Sequence, residues 1–219
     1  MTNRRRIGTV LRVPLAALVL AVAALPADAT TLRRMDLSEL VTRAERIVHA
    51  RAVDKNVHWD ASGTQIYTDT TFEVIDEAKG KGPRRFTVSL LGGVMGGVEM
   101  REEGTPLFKQ GEEVVLFTSP LPSGKKALVG FSQGAMRIAD DPATGHRMVV
   151  ADVPAGVTFM EQTVQGLRPV RPVSQRARLD QFMEKVRKAA SGEIEIRPLV
   201  SPRIRHPKAV TAVTPEEKP

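Results

Sequence analysis

The chain has 219 residues, a formal net charge of +7, 4% aromatic residues and no cysteine. The missing thiol excludes a disulfide framework, thiol catalysis, a cysteine-ligated zinc site and a lipid anchor on an N-terminal cysteine. The positive charge sits at the two ends: residues 168–219 hold 12 basic and 6 acidic side chains, whereas 16 basic and 18 acidic ones lie between Thr30 and Leu167. The central part is therefore near neutral and lacks the cationic footprint and stacking aromatics that nucleic acid demands.

The chain begins with Arg4, Arg5, Arg6 and Arg12, continues with an apolar run from Val13 to Leu25 and then reads Pro26-Ala27-Asp28-Ala29. A basic start, a short apolar stretch and small residues at Ala27 and Ala29 predict a signal peptide over residues 1–29, cleaved after Ala29. The apolar run is too short to span a bilayer, so no membrane anchor is expected after cleavage. The expected destination is the periplasm or the medium.

Beyond that point Asp36-Leu37-Ser38-Glu39 has the form of a capping box, and Leu37, Leu40, Val41 and Ala44 follow at helical spacing, predicting a helix of about three turns. Two long strands follow, Ile47 to Trp59 and Thr64 to Lys79, joined at Asp60-Ala61-Ser62-Gly63 and rich in β-branched residues. Phe86, Val88 and Leu90 alternate with polar residues as a third strand. Shorter strands are predicted at Val98 to Arg101, Glu113 to Thr118, Ala127 to Phe131, Ala135 to Ala139 and Arg147 to Ala151, with turn residues between them. Many short strands with no long helix between them argue for an antiparallel barrel. Leu179, Phe182, Met183 and Val186 then form an apolar stripe at helical spacing, with Ser174 as a candidate cap and Gly192 as the stop. The expected organisation is a small β-barrel domain with flanking helices over residues 30–192, followed by a Pro-rich, basic, flexible tail over 193–219.

The order Leu-x-x-Leu-Val-x-x-Ala-x-x-Ile-Val-x-Ala-x-Ala-Val from Leu37 to Val53, the Gly92–Gly97 segment, Gly111 to Phe117 and Gln133-Gly134 together resemble a group of uncharacterised exported bacterial proteins. More distantly, the predicted helix, barrel and terminal helix resemble the netrin-like or tissue-inhibitor-of-metalloproteinase fold, an OB-type barrel. That resemblance implies inhibition of an extracellular metalloprotease. The animal inhibitors use an N-terminal cysteine for it, and here the predicted mature end is Thr30.

Three places could carry function. His58 and Asp60 at the hairpin tip, with Asp69 on the returning strand, offer a metal or acid–base cluster, although Asp is also favoured there for turn chemistry. Trp59, the sole tryptophan, is placed to anchor a partner or to cap the barrel mouth. Gly92, Gly93, Gly96 and Gly97 predict a bulge or tight corner rather than a phosphate cradle, because no helix with Lys and Ser/Thr follows. Asp140, Asp141 and His146 lack the ligand spacing of a calcium loop. The sequence reading is a non-catalytic exported binding module with no cofactor and no metal, its unknown protein partner meeting Trp59 and the Gly92–Gly97 loop. Its rivals are an inhibitor of an extracellular protease, a structural envelope protein and an enzyme with an unrecognised metal site.

Overall fold

The computed structural model describes residues 30–151, 154, 156–163, 165–170 and 175–196. The predicted signal peptide, with Ala27 and Ala29, lies outside the described residues, as do Ser174 and most of the expected tail. The described chain opens with strand β1 (Thr30–Arg33) and helix α1 (Leu37–Arg43). Asp36 caps the helix by accepting from Glu39 N at 2.8 Å. Two turns form rather than three, because Ala44 already has extended geometry and the chain passes directly into a strand.

That strand, β2 (Arg46–Trp59), pairs antiparallel with β3 (Ile66–Lys79), each 14 residues long. Three register shifts, at Ile47/Val48, His49/Ala50 and Ala52/Asp54, tighten the twist and let the long hairpin wrap. Next come β4 (Arg85–Leu91), a small hairpin of β5 (Gly93–Met95) and β6 (Val98–Met100), then β7 (Glu113–Pro120) and β8 (Lys126–Leu128). The ring β2-β3-β4-β8-β7 closes on itself, since β7 pairs back to β2. The fold is mainly β and contains a closed five-stranded barrel. Its seam is short: β4 meets β8 in parallel at Val88 and Lys126, and β8 meets β7 antiparallel over three residues.

The N-terminal half of β7 also pairs with β9 (Ala135–Asp140), which continues the sheet through β10 (Arg147–Ala151) to β13 (Gln175–Arg178). A separate sheet joins β1 in parallel to β11 (Val157–Thr163), which forms a hairpin with β12 (Gly166–Val170). Helix α2 (Leu179–Ala190) follows β13. Arg178 occupies its cap position without a side-chain cap, so Ser174 does not start the helix.

Strand alternation sorts side chains into two cores. Val48, Ala50, Ala52, Phe72, Phe86, Val88, Val114 and Leu116 fill the barrel. Ile47, Val115 and Phe117 from the same strands face outward and pack with Leu40 and Val41 of α1 and Phe182, Met183 and Val186 of α2. Each large apolar side chain removed from water contributes about 1.5–3 kcal/mol. At one end of the barrel the buried Arg46 guanidinium lies over the Phe86 ring, pairs with Glu77 and donates to Pro83 O at 3.0 Å. It thereby fastens the β3–β4 turn.

The expected strand at Ala127 to Phe131 is cut short. Gly130 and Phe131 adopt left-handed φ values of 67° and 61°, and a 3-10 turn over Phe131–Gly134 follows. The Gln133 side chain holds this turn to the N-terminal segment, accepting from Met35 N at 2.8 Å and donating to Arg33 O at 3.0 Å. Among the described residues no helix is long and apolar enough to cross a membrane.

Candidate functional site

The β2–β3 tip turns at Asp60, whose carboxylate accepts from Ser62 Oγ, Thr64 N and Gln65 N. These bonds, led by that from Ser62, hold its carboxyl at about 2, well below the ordinary aspartate value. Asp60 is thus committed to its own turn.

His58 and Asp69 do meet. His58 Nε2 lies 3.1 Å from Asp69 Oδ2 and His58 Nδ1 lies 2.9 Å from Trp59 O, while the imidazole stacks on Tyr67 at 6.2 Å. Lys125, from the β7–β8 turn, donates to the same Asp69 oxygen at 2.5 Å. Burial opposes ionisation of Asp69, but bonds from Lys125 and Ser89 and the charges of Lys125 and His58 outweigh it and lower its pKa. Both His58 ring nitrogens thus lie against oxygens of the protein itself. Among the described residues no three His, Asp or Glu side chains come together to hold a metal ion. At the other hairpin, Asp141 Oδ1 accepts from Ala143 N at 2.8 Å and shapes the turn.

Gly92 extends the ladder past β4: its N–H donates to Ile66 O and its carbonyl accepts from Thr68 Oγ1, both at 2.7 Å. Gly93 then passes so close to the β2–β3 hairpin that a Cβ there would lie 2.7 Å from Thr68 Oγ1 and 2.9 Å from Val57 Cγ1. Gly96 and Gly97, at φ 60° and 81°, make the two-residue turn between β5 and β6. The expected bulge or corner is a complete small hairpin seated on the barrel. It displays Val94, Met95 and Val98, which are 61%, 37% and 47% exposed.

Trp59 is half-buried opposite Ile66, the residue to which Gly92 bonds. The tip residues His58 and Trp59 and the glycine segment therefore share one end of the barrel, although they are more than 30 positions apart in the chain.

A second polar cluster had no signal in the sequence. Glu113 receives the buried His49 Nε2 at 2.7 Å, Arg51 Nη2 at 2.6 Å and a bond from Arg147. Burial works against its ionisation, yet the bonds from Arg147, Arg51 and His49 together hold it at about 2. His49 and Glu113 are 64 positions apart, so only the pairing of β2 with β7 brings them together. No protein-family model matches the chain, and no curated protein matches it.

Proposed function

We propose that this protein is an exported, non-catalytic module that binds another protein at the barrel end formed by Trp59 and the β5–β6 hairpin. The observation carrying the reading is the exposure of Val94, Met95 and Val98 on a hairpin whose base is locked to the barrel through Gly92 and Gly93. Aliphatic side chains held out on a rigid support lose little entropy when covered, which favours a protein surface as the partner. A sugar or single-stranded nucleic acid would call for a platform of stacking aromatics, and among the described residues the rings at the hairpin tip are those of Trp59, His58 and Tyr67.

We further read the barrel as OB-type, with an N-terminal and a C-terminal helix at its sides. The ring order, a three-strand meander whose third strand pairs in parallel with the fifth, supports that reading. So does the meeting of residues from the first and fourth barrel loops at Asp69, the region through which OB barrels bind. The netrin-like likeness and inhibition of a metalloprotease rest on fold analogy alone.

The test is capture of proteins from culture supernatant and periplasm with wild type, Trp59→Ala and Val94→Asp. Both variants are expected to lose the retained partner at least tenfold while keeping the wild-type melting temperature within about 2 °C. Undiminished capture by both would remove this barrel end as the binding site.

A further inference from the structure

We propose that cleavage between Ala29 and Thr30 creates an α-ammonium group for which the fold holds a prepared seat, made by the Gly156 carbonyl and the Glu103 carboxylate. Thr30 N donates to Gly156 O at 3.1 Å, and Thr30 is the first rung of the parallel pairing of β1 with β11, opposite Val157. Glu103 leans on the same glycine: a Cβ at Gly156 would lie 2.6 Å from Glu103 Oε2. The nitrogen of Thr30 and the carboxylate of Glu103 thus converge on one residue.

The seat is held from behind. Gly104, next to Glu103, has a φ of 85° and approaches Val157 so closely that a Cβ there would lie 2.7 Å from Val157 Cγ2. The same Cβ would meet the Phe131 ring at 3.6 Å, and Phe131 is the one non-glycine residue with a left-handed φ among the described residues. A bulky side chain in that conformation is costly and persists where its surroundings require it. Here it supports the loop that presents Glu103. Among the described residues Glu103 has no ion-pair partner, in a protein where most acidic side chains near the barrel have one.

Before cleavage the Thr30 nitrogen is an amide with one donor, and its bond to Gly156 uses it up. After cleavage it carries three protons and a positive charge, enough to keep that bond and to answer Glu103 as well. Processing would then complete the β1–β11 sheet at its open corner. It would also consume the amino terminus, so a mechanism that offers this amine to a protease metal conflicts with the seat. The proposal is independent of what the β5–β6 hairpin binds.

Sequencing the N-terminus of the exported protein should give Thr30 first, and any other mature start overturns the proposal. Four purified proteins then complete the test: chains starting at Thr30 or at Ala29, each with Glu103 or with Glu103→Gln. Retaining Ala29 is expected to lower the melting temperature by about 1–4 °C. Glu103→Gln is expected to lower it by a similar amount in the Thr30 form and to have no effect in the Ala29 form. Equal effects of Glu103→Gln in both forms, or none from retaining Ala29, would show that the ammonium is not seated there. Glu103 is exposed, so the substitution leaves the fold in place.

Discussion

Glu113 is the residue whose charge the fold depends on most visibly. Its carboxylate is shared by Arg51, Arg147 and the buried His49, and its folded pKa of about 2 lies below the ordinary glutamate value of 4.5. A group whose pKa is depressed by folding stabilises the folded state fully above the unfolded value, and that contribution disappears as pH falls through the folded one. Stability from this cluster is therefore complete above about pH 5 and lost progressively between about pH 4.5 and 2. Glu113→Gln should destabilise the protein at pH 7, where three cationic or donor groups lose their shared partner. Near pH 2 the variant and wild type should converge. Urea midpoints of both proteins measured from pH 7 to pH 2 would reveal this, and a gap that stays constant across the range would show that the ionised form of Glu113 is not what matters.

At the scale of elements, the β5–β6 hairpin separates two uses of glycine. Gly93 lies at φ 146° against Thr68 and Val57, whereas Gly96 lies at φ 60° with nothing within 4 Å of an added Cβ. Gly93→Ala combines backbone strain with overpacking and should cost about 2–4 kcal/mol. Gly96→Ala meets only the left-handed penalty of about 1–2 kcal/mol, confined to an exposed turn. Thermal melts of the two variants would order them, and equal losses would mean that the base of the hairpin is not packed as described. The sequence made this region legible only in part. Four glycines in six residues announced a backbone under constraint, and the alternation of β-branched residues announced β2 and β3. Val98 to Arg101 reads as a strand, and β6 lies there, but its partner β5 has three residues and too little alternation to register, so the pairing of the two into a hairpin was not legible. His58 and Asp69 were recognisable as neighbours because one hairpin register relates them. Lys125 was not, because it arrives from a turn 56 positions away by closure of the barrel. β1 escaped for a similar reason: its parallel pairing with the distant β11 leaves no local pattern.

Over the whole molecule, β2 and β7 are the shared wall of two cores. Val48, Ala50, Val114 and Leu116 face the barrel interior while Ile47, Val115 and Phe117 face the helices, so neither core can open without exposing the other side of the same strands. The sheet of β1, β11 and β12 stands apart, its buried Phe159 belonging to neither core cluster. Local stability follows this division of contacts. Backbone amides of Ile47 to Ala52 and of Val114 to Phe117 should exchange only through global unfolding, and those paired between β11 and β12 should exchange through a cheaper local opening. Phe72 is fully buried and packs edge-on against Phe108 at 5.0 Å and stacks on Phe86 at 5.9 Å, so Phe72→Ala should cost about 3–5 kcal/mol. That loss should appear in full in the exchange of β2 and β7 amides. It should appear equally in α2, which touches only the outer core, because the shared strands couple the two. Protection within β11 and β12 should stay unchanged as long as their local opening remains cheaper than global unfolding. Native-state hydrogen exchange of wild type and Phe72→Ala would test the coupling, and an α2 that keeps its wild-type protection would mean that the helices and the barrel unfold as separate units.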